Sequence, residues 1–169
     1  MKSRRARAED VPAIHRLIAH YADQGLLLPR SEEEIRAHFD HFIVLAGKDA
    51  LLGCVALEAY GTDLAEVRSL AVAADIRGRG LGARLLKAAL AAARRKKIAR
   101  VFAVTHAPEF FGGQGFTLST RMALPEKIAR DCRACPKAKH CDLVAVIATV
   151  CPQRAILPVL GDAQPAPAL

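Results

Sequence analysis

The segment Val67 to Gly82, VRSLAVAADIRGRGLG, runs from a strand-like stretch through a glycine-rich turn directly into helix-forming sequence. Glycines let the backbone turn tightly and leave its N–H groups unobstructed. The helix start adds further free N–H donors and the positive end of its dipole. Arg77 and Arg79 add charge, so Arg77-Gly78-Arg79-Gly80-Leu81-Gly82 reads as an anion cradle suited to a pyrophosphate. It is neither a dinucleotide fingerprint, which needs a small residue where Leu85 stands, nor a nucleotide-triphosphate loop, which needs Gly-Lys-Ser/Thr. Just upstream, Glu66 and Arg68 are two residues apart in a strand, so their side chains leave the same face. Glu66 can serve as a base or simply pair with Arg68. A third group, Cys132-x2-Cys135-x5-Cys141 with His140 alongside, has partial metal-site spacing. Bound metal, free thiols and a disulfide all stay open for it, with Cys151 as a possible fourth thiolate, and no metal is assigned.

These residues need a scaffold. The chain has 169 residues, 52% hydrophobic and 25% charged, enough for one domain with a real core. The longest apolar run, Leu143–Cys151, falls short of the ~20 residues that span a bilayer. The basic N-terminus lacks an apolar signal region, and five cysteines are an odd number. Together these point to a reducing compartment, the cytoplasm, and away from membrane proteins and secreted disulfide scaffolds. The formal charge of +8 favours an anionic partner. Basic and aromatic residues are not interleaved, so a polyphosphate fits better than nucleic acid.

A first helix is expected from Asp10 as N-cap to Gly25, and a second from Ser31, where Glu34 completes a capping box. Strands are expected at Phe42–Ala46, Leu51–Glu58 and Leu64–Val72. A helix from Leu81 to Lys97 follows, with a buried stripe of Leu85, Leu86, Ala89, Leu90 and Ala93, then a strand at Arg100–Thr105. A short helix Pro108–Gly113, a strand from Phe116 to Leu118, a helix Pro125–Cys132 and a final strand Leu143–Val150 complete the order. This is an α/β fold with a mixed central sheet, an antiparallel start and a central β-α-β unit. The domain is placed at residues 1–150. Residues 151–169, rich in proline and alanine, read as an extended tail. Cys54, on a strand, reads as core, and His15, His20, His38 and His41 as surface or helix-packing residues.

Arg77-x-x-Gly80-x-Gly82 resembles the acetyl-CoA loop of the GNAT N-acetyltransferases, as do the preceding Ser69-Leu70-Ala71-Val72, the later Gly115-Phe116 and the element order. Leu28-Pro29-Arg30-Ser31, Ala65–Val72 and Leu124–Cys132 more narrowly resemble the acetyltransferase part of bacterial N-acetylglutamate synthases, with the short stand-alone form the better match. Longer synthases carry an amino-acid-kinase-like domain in front. None is seen here, so its feedback site is not expected.

The resemblance implies acetyl-CoA as co-substrate. Backbone groups of Leu70 and Val72 would meet the pantetheine arm, the Val72 N–H polarising the thioester carbonyl. The segment Arg77, Gly78, Arg79, Gly80, Leu81 and Gly82 would hold the pyrophosphate. It further implies Glu66 as catalytic base and Thr105 as a hydrogen-bond donor to the sulfur, with His106 a weaker candidate. Arg30 and Arg68 would bind substrate carboxylate, with Lys137 a weak third. Phe111 stands where many GNAT enzymes place an acidic tyrosine, so the general acid is open. The implied reaction acetylates the α-amine of a small amino acid, L-glutamate first, as the opening step of arginine biosynthesis. Another small amine, a protein amine and a non-catalytic acetyl-CoA sensor remain alternatives. No nucleic-acid or membrane partner is expected, and a homodimer is.

Overall fold

A computed structural model describes residues 2–48, 50–133, 135 and 141–151. Seven strands form one sheet in the order β1-β2-β3-β4-β5-β7-β6: β1 Lys2–Arg5, β2 Phe42–Ala46, β3 Leu51–Tyr60, β4 Leu64–Val72, β5 Arg100–Thr105, β6 Thr117–Ser119 and β7 Val144–Thr149. Every pairing is antiparallel except β4 with β5, which the crossover helix α3 (Leu81–Arg95) connects. The mixed sheet and its central β-α-β unit are therefore as expected.

Helix α3 lays Leu81, Leu85, Leu86, Ala89, Leu90 and Ala93 on one face of the sheet, where they meet Val55, Leu57, Ala65, Val67 and Val101. Each aliphatic side chain fully buried there is worth about 1.5–3 kcal/mol. On the other face lie α1 (Val11–Ala22) and α2 (Glu32–Ala37), which pack Val11, Ile14, Ile18, Tyr21 and Ile35 against Phe42, Val44, Cys54, Ala56 and Ala71. A third cluster, Tyr60, Leu64, Phe102, Leu124 and Ala145, lies beneath the charged residues described below.

Ser31 caps α2 as expected: its hydroxyl accepts from the Glu34 N–H at 3.1 Å. Asp10 does precede α1, but its carboxylate points backwards. It accepts from the Arg7 N–H at 2.7 Å and from the Arg4 guanidinium at 2.6 and 2.9 Å. That grip fixes β1, a strand hidden in the sequence by its Lys-Ser-Arg-Arg composition.

Other bounds move slightly. Strand β3 continues to Tyr60, two residues beyond the expected end, and α3 stops at Arg95. The short helix α4 covers Pro108–Gly112. The expected helix Pro125–Cys132 is a single turn, α5 (Pro125–Lys127), that widens into a π turn over Ile128–Cys132. Of the expected tail, only Cys151 lies within the described residues; its N–H donates to the Ala99 carbonyl at 3.2 Å.

Candidate active site

Strand β4 carries two kinds of site, one at each end. It pairs with β5 only over Leu64–Glu66 against Arg100–Phe102, although both strands continue beyond. Past that point the two edges part. A β-bulge adds one residue to β4 between Arg68 and Ala71, and Ser69 there adopts φ +50°. Bulges bend and re-aim a strand. The Ala73 N–H donates to Leu52 on the β3 side. By strand alternation, the backbone groups of Leu70 and Val72 face the opposite edge, into the opening. Tyr21 reaches the same place from α1: its hydroxyl donates to the Val72 carbonyl and accepts from Arg77 Nε at 3.0 Å, and the Arg77 guanidinium lies 4.6 Å from the Tyr21 ring centroid.

Below the opening, Gly78 and Gly80 take φ +78° and +72°, where any side chain would be strained. Gly80 is the N-cap of α3, so the N–H groups of Leu81 and Gly82 begin the helix without internal acceptors. The loop amides of Gly78, Arg79 and Gly80 likewise make no internal backbone hydrogen bond among the described residues. Phe110 of α4 lies 3.5 Å from where a Cβ on Gly82 would be. Convergent amides at a helix start, open glycine surfaces and two arginines fit a pyrophosphate, and the split edge of β4 fits an extended pantetheine-like arm.

The other end of β4 is built from side chains. Glu66 is buried, and its contacts converge on Oε2: the Tyr60 hydroxyl at 2.8 Å, Lys127 Nζ at 2.8 Å and Arg68 Nε at 3.7 Å. Lys127 Nζ also donates to Asp131 Oδ2 at 2.7 Å, and the Tyr60 hydroxyl lies 2.6 Å from that same oxygen. Glu66, Tyr60, Asp131 and Lys127 thus close a ring of short polar contacts, in which the single Tyr60 proton serves one carboxylate at a time. Arg68 joins Glu58 at 2.6 Å and Asp131 at 3.4 Å, and Arg130 stacks 3.4 Å from the Tyr60 ring centroid while reaching Glu58 and Asp131.

The ionisation states follow. Burial opposes the charge on Asp131, but the hydrogen bonds from Lys127 and Tyr60 outweigh it and hold this carboxyl well below the usual range. Glu58 is likewise held low, burial being outweighed by Arg68, Arg30 and Arg130. Burial and the neighbouring Glu66 charge push the Tyr60 phenol up, so it stays a neutral donor.

Arg30 differs from the other cations. It is 9% exposed, yet its Nε and Nη1 are buried with no hydrogen-bond acceptor among the described residues. Its charge contacts are loose, 3.6 Å to Glu58 and 3.9 Å to the solvent-exposed Glu34, and its guanidinium lies 5.5 Å from the Phe42 ring centroid. With Arg68, Lys127 and Arg130, four cations surround Glu58, Glu66 and Asp131.

Strand alternation brings Glu66 and Arg68 together as expected, and Arg30 joins them through Glu58. Thr105 sits at the end of β5 with its Oγ1 accepting from the Ala107 N–H at 3.0 Å, which leaves its own proton free to donate. His106 Nδ1 lies 3.6 Å from Asp142. Phe111 is buried against Phe110 and Phe116. Cys54 is buried as core, and burial pushes its thiol up to about 12. Cys132, Cys135, Cys141 and Cys151 are free thiols, and among the described residues no group of three His, Cys, Asp or Glu side chains is arranged to hold a metal ion. Lys137 and His140 lie outside those residues.

Sequence reasoning missed Glu58, Tyr60, Lys127, Asp131 and Tyr21. The visible signals were Glu58-x-Tyr60 on a strand, in phase with Glu66-x-Arg68 across the ladder, and Lys127 four residues before Asp131. No described helix is long and apolar enough to cross a membrane.

The Acetyltransferase (GNAT) family matches residues 9–116. An uncharacterized N-acetyltransferase of Chlorobaculum tepidum is 38% identical over 147 residues, 87% of this chain and 95% of its own length. An amino-acid acetyltransferase of Mycobacterium tuberculosis is 37% identical over 117 residues, covering 68% of this chain and 67% of that one. Among solved structures, the N-acetylglutamate synthase of Neisseria gonorrhoeae, complexed with coenzyme A and N-acetyl-glutamate, superposes with a TM-score of 0.81 at 31% identity. That match covers 88% of this chain but only 35% of the synthase. Split strand, glycine cradle and sequence kinship agree: the chain belongs to the GNAT acetyltransferase family, acyltransferases that use acetyl-CoA as co-substrate.

Proposed function

We propose that this chain transfers the acetyl group of acetyl-CoA to the α-amine of L-glutamate, in the cytoplasm, as the first step of arginine biosynthesis. The observation that carries the reading is Arg30, a buried guanidinium whose Nε and Nη1 have no hydrogen-bond acceptor among the described residues. Unmade hydrogen bonds of this kind cost about 1–3 kcal/mol each. A substrate carboxylate supplies a charged acceptor that such a donor lacks. The one-charge cationic excess around Glu58, Glu66 and Asp131 suits an amino acid of net charge −1. The gonococcal synthase bound to N-acetyl-glutamate and the relatives named amino-acid acetyltransferase support the same substrate class.

An α-ammonium is mostly protonated at neutral pH and must lose a proton before it attacks. Glu66 takes that proton, through water, at Oε1, the oxygen its three neighbours leave clear. The neutral amine adds to the thioester carbonyl, whose developing oxyanion faces the Val72 N–H in the β4–β5 opening. Collapse breaks the C–S bond; the second amine proton passes through water to the departing thiolate, to which the Thr105 hydroxyl donates a hydrogen bond. Loop amides 78–82, with Arg77 and Arg79, hold the pyrophosphate.

Thiol release from acetyl-CoA, measured against L-glutamate, L-glutamine, L-aspartate and a lysine-bearing peptide, tests this. Selective turnover with L-glutamate, lost in Glu66→Gln, is expected. Turnover no better with L-glutamate than with buffer, while acetyl-CoA still binds, overturns the substrate assignment.

A further inference from the structure

Lys127 is one of the four cations at the acceptor end and lies outside the acetyl-CoA cradle, and among the described residues it is one of the least exposed charged side chains, 7% exposed. It comes from α5, sixty-one positions beyond Glu66, and its Nζ sits 2.8 Å from Glu66 Oε2 and 2.7 Å from Asp131 Oδ2. We propose that Lys127 is a positioning residue for the transfer reaction, its ammonium fixing Glu66 by Oε2 so that Oε1 alone is presented to the amine or its relaying water. The proposal rests on the reading of Glu66 as base.

Three observations carry it. First, a buried ion pair is a poor stabiliser, because desolvation offsets its attraction. An apolar residue would tie α5 to the sheet as well, since Leu124 and Tyr60 already provide apolar packing there. Second, Lys127 does not meet Glu66 alone. Tyr60 has one proton and two carboxylates within reach, so whenever it donates to Asp131 only Lys127 and the more distant Arg68 face Oε2. Third, the groups facing Glu66 come from every element around it: Tyr60 and, through Arg68, Glu58 from β3; Arg68 from β4; Lys127 from α5; Asp131 from the π turn. Arg30 and Arg130 act at one remove, through Glu58 and Tyr60. Within this set, Lys127 is the only ammonium and has the shortest cationic contact to Glu66.

Opposite charge changes then give opposite signs. Lys127→Met keeps the stem and removes the cation 2.8 Å from Glu66 Oε2, and the acid limb of kcat moves to higher pH. Asp131→Asn removes a competing anion, leaves Lys127 to Glu66, and moves that limb to lower pH. Shifts on the order of one pH unit are expected for charges at this distance. In addition, Lys127→Met lowers kcat about 10- to 100-fold with little change in KM for acetyl-CoA, and Lys127→Arg restores part of it.

The experiment is the pH profile of kcat, at saturating acetyl-CoA and L-glutamate, for wild type, Lys127→Met, Lys127→Arg, Asp131→Asn and Glu66→Gln. Limbs displaced in opposite directions support the proposal. Should Lys127→Met fail to fold, the displacement in Asp131→Asn and the activity of Lys127→Arg decide it. Unmoved limbs with wild-type kcat, alongside an inactive Glu66→Gln, overturn the Lys127 role and leave the base standing. Full activity in Glu66→Gln overturns the base, and the Lys127 proposal with it.

Discussion

The two ends of β4 reach a reactive geometry by opposite means. At the end proposed to take acetyl-CoA the parts on offer are backbone: the released edge at Leu70 and Val72, the amides of Gly78 to Gly82, and two left-handed glycines. At the end proposed to take the acceptor they are side chains: three carboxylates, four cations and a phenol in close contact. Backbone amides read a phosphate chain shared by every acetyl-CoA enzyme. Side-chain charge distinguishes one amine from another. The division teaches that affinity for the common donor and choice of acceptor can be altered separately, because residues of one end do not supply the chemistry of the other.

Glu66→Gln is the most severe way to challenge this division. It preserves shape but removes the proton acceptor, so kcat falls about 10²- to 10⁴-fold, while calorimetry finds acetyl-CoA affinity unchanged. A matching loss of acetyl-CoA affinity would show the two ends to be coupled. Next in size is Arg30→Met. Steady-state kinetics should give a KM for L-glutamate raised about 10- to 100-fold, the loss of a charge-assisted hydrogen bond worth roughly 1.5–3 kcal/mol. Thermal melting should show equal or higher stability, because the two buried donors without partners are gone.

Gly80→Ala acts at the other end. With φ at +72°, a side chain there costs about 1–2 kcal/mol, which appears as a few-fold higher KM for acetyl-CoA with the amino-acid preference intact. The smallest effect is on acid stability. Asp131 is held below its ordinary value in the folded chain, so it contributes stability above about pH 4 and that contribution is lost as pH falls further. Urea titrations should find Asp131→Asn weaker than wild type at neutral pH, with the gap closing in acid.

The geometry of the glycine cradle was largely readable because it is contiguous. Its glycines, arginines and helix start lie within one short segment, and each acts through local conformation. The acceptor end was readable only in part. Glu66 and Arg68 announced themselves by period-two spacing, and Arg30 by its place before a helix cap. Tyr60 and Lys127 reach Glu66 from six and sixty-one positions away. No local propensity encodes the second of those distances, and Tyr60 lay just past where β3 was expected to stop. The π turn at Ile128–Cys132 was read as ordinary helix because apolar spacing does not register one extra residue per turn. Strand β1 was missed because an edge strand facing water carries no apolar alternation.

That edge strand has a consequence for the protein in concentrated solution. Among the described residues, the sheet of seven strands has two unpaired margins, each a template for another copy. One margin, β6, is three residues long and offers little to grip. The other presents Lys2, Arg4 and Arg5, and Arg4 is held in place by Asp10. A second chain laid antiparallel along it would stack like charges at the ~4.8 Å spacing of neighbouring strands. One margin is guarded by brevity and the other by repulsion, and only the second guard weakens with salt, as the screening length shrinks from about 10 Å at 0.1 M to 3 Å at 1 M. Colloidal stability should therefore be highest in dilute buffer and decline as ionic strength rises.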